Sequence, residues 1–204
     1  MSSIQTLIES RVSTNKFHTN RPVSSSQINE LVRLATLAPS AYNFQNWKFI
    51  AVISPAAKEK LKAAAYGQQK VVDATVTFIV CGTLNAHQRL EDNLRPSLDQ
   101  GILSQAVIDT WVGMAKGSHE GNAQLQRDEA FRSASLAAMT LMFAAQDIGL
   151  ATGPMSGFDP GAVSEVFGLS ANEVPVMLIA TGYSAPGNWP QKPRKPIADV
   201  LPST

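Results

Sequence analysis

The run Asp128-Glu-Ala-Phe-Arg-Ser-Ala-Ser-Leu-Ala-Ala-Met-Thr-Leu-Met-Phe-Ala-Ala-Gln-Asp-Ile-Gly149 decides how the chain folds. Asp128 is placed to cap a helix, acids occupy the first turn, and Gly149 supplies a left-handed residue to end it. Between Ala134 and Ala145 only Ser135 and Thr140 are polar, so the helix is apolar almost all round and is expected to be buried. It is too short and too polar at its ends for a membrane span, which takes about 20 apolar residues. Ser133, Ala134, Ala137, Ala138, Ala144 and Ala145 let neighbouring backbones approach closely. Other layers, and a second copy of the chain, are expected to pack around it. Leu150-Ala-Thr-Gly-Pro-Met-Ser-Gly157, directly after it, reads as a glycine-punctuated loop leaving the core, the kind of place where sites are built.

Upstream, Ile4–Ser10 reads as a short helix and Arg11-Val-Ser-Thr-Asn-Lys-Phe17 as a polar turn. A second helix opens at Ser24 and stops at Pro39, followed by the amide-rich loop Ala38-Pro-Ser-Ala-Tyr-Asn-Phe-Gln-Asn46. Trp47–Ile53 reads as a strand, Ser54–Ala65 as a helix, Gly67–Lys70 as a link, and Val76–Cys81 as a second strand. Leu84–Pro96 is polar and shows no pattern, Ser97–Lys116 reads as one helix, and Gly117–Gln126 as a polar connection. Downstream, Pro160–Phe167 is a helix with proline at its first position, Val174–Gly182 is the third clear strand, and Ala185–Pro196 is a proline-rich tail. Strands that are few, apolar and separated by helices predict an α+β fold, a small sheet with helices on both faces. A chain of 204 residues without repeats is expected to form a single domain over 1–204, with 185–204 as an extended tail.

Composition narrows the function. A formal net charge of +1 gives no general attraction to nucleic acid or to an anionic membrane, so anion binding has to be local. The single cysteine, Cys81, ends an apolar run and reads as a buried small hydrophobe; one cysteine forms no intrachain disulfide, which fits a reducing cytoplasm. The first ten residues lack the basic and long apolar regions of a signal peptide, and position 2 is not the glycine that myristoylation needs. His18, His87 and His119 are scattered, without metal-ligand spacing. No serine-hydrolase elbow, dinucleotide-binding glycine motif or phosphate-binding Walker loop is present.

Four stretches remain. Arg11, Ser13 and Asn15 offer a fixed cation and short donors suited to an anionic group. Ser40, Asn43 and Gln45 are suited to the edge of a heteroaromatic ring. Lys192-Pro-Arg194 is a basic tail, and Pro154-Met-Ser-Gly157 can present backbone N–H groups. Anion- and amide-binding loops without a catalytic side chain are what a bound cofactor that carries the chemistry itself would explain.

The order of these motifs resembles the FMN-dependent nitroreductase family: Arg11-Val-Ser-Thr-Asn-Lys-Phe17, Ala38-Pro-Ser-Ala-Tyr-Asn-Phe-Gln-Asn-Trp47, Gly153-Pro-Met-Ser-Gly-Phe158 and Lys192-Pro-Arg194, from the first helix to the tail. The resemblance implies an α+β homodimer with a small, mainly antiparallel sheet and two FMN molecules at the subunit interface. It implies that Arg11, Val12 and Ser13, with Lys192 and Arg194, hold the flavin phosphate and ribityl chain, and that Asn15 and Lys70 meet the pyrimidine edge. Pro39, Ser40, Ala41 and Asn43 would come from the partner chain, while Pro154, Met155, Ser156 and Gly157 would lie against the ring near N5. NAD(P)H and a small oxidant, a nitroaromatic or a quinone, would react in turn. Alternatives on the same fold are a dehalogenase-like or flavin-fragmenting enzyme, with 84–96 as the place for a lid; another class is a flavin-binding module without turnover. Three positions depart from the family pattern: Asn15 stands where many members have a basic residue, Asn46 where proline is usual, and Ser156 where many have glutamate.

Overall fold

The computed structural model describes residues 3–201. Two capped helices come first, α1 (Ile4–Ser10) and α2 (Ser25–Ala35). Ser3 and Ser24 each accept a hydrogen bond from the amide three residues on, and the Gln27 side chain accepts one from the Ser24 amide, closing a capping box. β1 (Trp47–Val52) leads to α3 (Pro55–Ala64), the single turn α4 (Lys70–Asp73) and β2 (Val76–Thr83). A helical excursion, α5 (Leu90–Asp99) and α6 (Gln105–His119), precedes the long α7 (Ala123–Asp147). β3 (Ala151–Met155), α8 (Pro160–Phe167), β4 (Glu173–Gly182) and the short α9 (Ile197–Val200) follow.

The four strands form one antiparallel sheet in the order β1-β2-β4-β3. β2 is buried from Val76 to Gly82 because helices cover both faces, and its side chains alternate between two cores. Phe78 and Val80 join Ile179 against α2 and α7, while Ile79 and Cys81 join Leu178 and Ala180 against α3, α4 and α8. The expected α+β architecture is the one observed. Cys81 has no exposed surface, and burial pushes its thiol up to about 11, the behaviour of packing rather than of a nucleophile. A third cluster, Phe44, Leu90, Leu94, Ile108 and Ala115, ties the α5–α6 excursion to the loop that enters β1.

Several boundaries differ from the sequence reading, each for a local reason. The stretch 151–155, expected as a loop, is an edge strand: Pro154 needs no inward N–H there, since β4 lies on only one side. α7 starts at Ala123, upstream of the cap expected at Asp128, because the Asn122 side chain accepts from the Leu125 amide and caps it; Asp128 lies inside the helix. The single helix expected over 97–116 is two, separated at Gly101 with φ 69°, and the unpatterned stretch before it holds α5. Finally, α7 is buried on one face only. Ala130, Ala134, Ala137, Ala138 and Leu141 have no exposed surface, whereas Leu136 on the far side is 43% exposed. No helix among the described residues is long and apolar enough to cross a membrane.

Candidate functional site

The outer edge of β3 is covered by the Arg11–Phe17 segment, held there by a hydrogen bond from the Thr14 amide to the Thr152 carbonyl at 2.9 Å. Gly153 makes this approach possible. A Cβ at that position would lie 2.2 Å from the Thr14 carbonyl oxygen, far inside contact distance. Where β4 ends, the chain runs back along the same segment in the opposite direction. The His18 amide donates to the Tyr183 carbonyl (2.8 Å), Phe17 forms a bridge with Ser184, and the Ala185 amide donates to the Lys16 carbonyl (2.9 Å). The Asn188 side chain then accepts from the amides of Asn15 (2.8 Å) and Lys16 (2.9 Å) and donates to the Lys16 carbonyl, the Ser184 hydroxyl and the Ala185 carbonyl. Gln191 donates to the Arg11 carbonyl at 3.1 Å.

This zipper brings distant parts of the sequence to one cleft. Arg11, Val12, Ser13 and Asn15 form one wall and Trp189, Lys192 and Arg194 the other, around a cavity of about 90 Å³. The Lys192 ammonium sits 5.0 Å from the centre of the Trp189 ring. Among the described residues no carboxylate pairs with Arg11, Lys192 or Arg194, and the Arg11 Nη1 is buried without a hydrogen-bond partner. Buried or crowded cations are ordinarily compensated, so this arrangement suits an anionic group.

Beside the cleft the Lys70 ammonium donates to Asn15 Oδ1 at 3.2 Å, which brings these two residues to one edge. Burial lowers the Lys70 pKa. Gly157 is tied to the same region by Gln68, whose amide donates to the Gly157 carbonyl at 2.6 Å. Pro154 and Met155 close β3, and Ser156 and Gly157 are exposed just beyond it. The structure thus gathers residues 11–15, 70, 154–157 and the tail around one edge of the sheet.

Pro39, Ser40, Ala41 and Asn43 are not gathered with them. β1 begins opposite Gly82 and, through β2, opposite Val174, while β3 begins opposite Gly182, so the two groups lie at different edges and different ends of the sheet. The loop that carries them is held rigidly. Tyr42, Asn43 and Gln45 have φ of 52°, 60° and 50°, left-handed values that are uncommon in residues with side chains. The Ser40 hydroxyl accepts from the Gln45 amide (2.9 Å), and the Tyr42 ring packs on Phe44 (5.3 Å) and Trp111 (6.2 Å). Asn46 is 2% exposed; it donates weakly to the Thr83 carbonyl (3.4 Å), and its Oδ1 has no partner.

Sequence reading misses Gln68, Asn188, Trp189 and Gln191. Only Asn188 carries a local signal, the turn-forming triplet Pro186-Gly187-Asn188, in which an asparagine side chain tends to bond to nearby backbone.

The sequence and the fold have counterparts among known proteins. The chain matches the Nitroreductase family over residues 8–183. It is 36% identical over 203 residues to MhqN of Bacillus subtilis, named provisionally as an NAD(P)H nitroreductase, with 98% of each chain covered. To YodC of the same organism, named in the same way, it is 34% identical over 201 residues, again with 98% of each covered. Among solved structures, a provisionally named nitroreductase from Exiguobacterium sibiricum, crystallised in complex with FMN, superposes with a TM-score of 0.91 at 27% identity, covering 100% of this chain and 98% of that one. A four-stranded antiparallel sheet with that superposition, and sequence matches that run almost the full length of both partners, lead to one assignment: the chain belongs to the nitroreductase family.

Proposed function

We propose that the protein is an NAD(P)H-dependent FMN oxidoreductase that reduces nitroaromatic or quinone-like acceptors in ping-pong order. The observation that carries this reading is the group of three cations, Arg11, Lys192 and Arg194, facing one cleft without carboxylate partners among the described residues. They fit a phosphate, and Arg11 Nη1, buried without a hydrogen-bond partner, has donor capacity left to offer. When bound, FMN supplies the hydride-accepting and hydride-donating chemistry. Val12 and Ser13 line the ribityl side, Asn15 and Lys70 offer donors to the pyrimidine edge, and Pro154, Met155, Ser156 and Gly157 support the ring near N5. NAD(P)H and the acceptor occupy the open face in turn.

The site is shared between two copies of the chain. The cleft is lined on its outer side by an exposed tail, Trp189 to Arg194, so one protomer leaves it open to a second chain. Ile4, Ile8, Leu136 and Ile148, between 43% and 62% exposed, give α1 and α7 an apolar outer surface for the partner. A second copy's Pro39–Asn43 loop completes the walls.

The purified protein should be yellow, with flavin bands that bleach when NADH or NADPH is added under nitrogen, and light scattering should report a dimer. A colourless preparation that fails to take up added FMN refutes the cofactor assignment, and a stable flavin-loaded monomer refutes the shared site.

A further inference from the structure

Resting on the flavin reading, we infer that Asn188 is a positioning residue that sets the geometry of the cofactor cleft by clamping the C-terminal tail onto the Asn15–Lys16 backbone. No cation or aromatic group in the tail reaches the cleft by itself. Every residue from Gln191 to Val200 is exposed, and among the described residues the tail has no sheet partner after Ala185. Between the Ala185 backbone contact and the Gln191 contact with Arg11, the Asn188 side chain is the principal attachment, with three contacts to Asn15 and Lys16 and two more inside the tail, to Ser184 and Ala185.

The amide is used in full and in one orientation. Its oxygen accepts two backbone N–H groups, and its nitrogen faces three oxygen atoms at 2.9 to 3.0 Å. Alanine offers neither arm. Aspartate keeps the acceptor but sets a carboxylate against the Lys16 and Ala185 carbonyls, so it repels where asparagine donates. The clamp also connects two functions. It holds the amide of Asn15, whose side chain receives the Lys70 ammonium, and four residues further on it places Lys192 across from Arg11. Loss of Asn188 therefore loosens the phosphate end and the pyrimidine end together.

The test uses the full chain as wild type, Asn188→Ala and Asn188→Asp. Trypsin provides a readout that needs no flavin: Lys192 and Lys195 precede proline, so Arg194 is the site of rapid cleavage in the tail. In the flavin-free proteins both variants should be cut after Arg194 about tenfold faster than wild type, while the melting temperature stays within about 2 °C, since the two main cores are untouched. In flavin titrations both should bind FMN about tenfold more weakly, the equivalent of one to two net hydrogen bonds. The midpoint potential of bound flavin should also move, which a merely structural contact would not cause. A variant whose tail is freed but whose FMN affinity stays within about threefold of wild type overturns the positioning role, as does one that is cut no faster. If wild type itself binds no FMN, the cofactor reading falls and the positioning role with it. The tryptic rates then still report whether the clamp holds the tail, which separates that failure from a failure of the clamp.

Discussion

β3 at one edge of the sheet is sealed by the Arg11–Phe17 segment and the tail that pairs with it, whereas β1 at the other edge grows out of a loop with three left-handed side-chain-bearing residues, Tyr42, Asn43 and Gln45. The first edge is covered by a segment of the same chain and leaves Arg11, Lys192 and Arg194 without carboxylate partners among the described residues. The second fixes an unusual backbone, and its Lys48 and Glu173 neutralise each other. Such strain is retained where the conformation itself is used. In the shared site proposed above, the difference teaches that the two edges are complementary, one providing charge and the other shape, and that they meet only across a dimer.

The largest expected effect comes from Gly153→Ala compared with Gly82→Ala. Both put a Cβ against backbone, the Thr14 oxygen at 2.2 Å and the Ala130 oxygen at 2.4 Å. Each should cost about 3 kcal/mol of stability, the upper part of the overpacking range, in urea unfolding. Only Gly153→Ala should also abolish flavin uptake, because only it pushes the Arg11–Asn15 wall away; equal flavin binding by the two variants would break the comparison.

Next, Arg11→Ala should weaken FMN binding by about 1.5–3 kcal/mol, the worth of a charge-assisted hydrogen bond. Arg194→Ala should cost less, since Arg194 is exposed and already donates to the Lys192 carbonyl, while Arg11 Nη1 is buried and without a partner. Equal or reversed losses in a flavin titration would move the main phosphate anchor into the tail.

Lys70→Ala should lower the two-electron midpoint potential of the bound flavin by about 30 mV, equivalent to about 1.4 kcal/mol. The cause is removal of a cation from the edge where reduced flavin carries negative charge. Asn15→Lys should raise the potential by less than a lone added cation would, because the new ammonium would stand next to that of Lys70, now 3.2 Å from the Asn15 oxygen. A redox titration of both variants against a dye checks this; no movement in either would place the pyrimidine edge elsewhere.

The smallest effect belongs to the β1 side, where Lys48 and Glu173 pair at 2.6 Å. The Lys48 hydrogen bond holds the Glu173 carboxyl below its ordinary 4.5. The stability it contributes is therefore fully present above pH 4.5 and is lost as the pH falls through the lower folded value. Because Lys48 is 43% exposed, a double-mutant cycle should give only about 0.2–1 kcal/mol of coupling at neutral pH. Flavin affinity should not change, and any change would show that this edge also governs charge at the site.

Much of this arrangement is legible in the residues. Val76–Cys81 is a strand because apolar and β-branched residues run together, and Ser24 with Gln27 or Ser54 with Pro55 mark helix starts through bonds that span only a few residues. β3 is hidden because Gly153 and Pro154 signal a turn in isolation; they become an edge strand only through β4, from which α8 separates them in the chain. α5 is hidden by Pro96 and its charged residues, although the Leu90–Leu94–Leu98 spacing is present. At the site, the types and order of Arg11, Ser13, Lys192 and Arg194 suggest anion binding, but nothing local brings them together. The Asn188 bonds to Asn15 and Lys16 cross 173 and 172 residues, a distance at which no pattern in one sequence operates.

That same span has a consequence for biogenesis. The cleft joins residues made early on the ribosome to residues made late, with Gln191 reaching Arg11 across 180 positions. The sheet and its two cores can consolidate as soon as β4 emerges, but the cradle closes only when the tail follows and finds the N-terminal segment. On the flavin reading proposed above, a chain cut short just before Asn188 would keep its core and lose its cradle, and should take up FMN more weakly than the full chain.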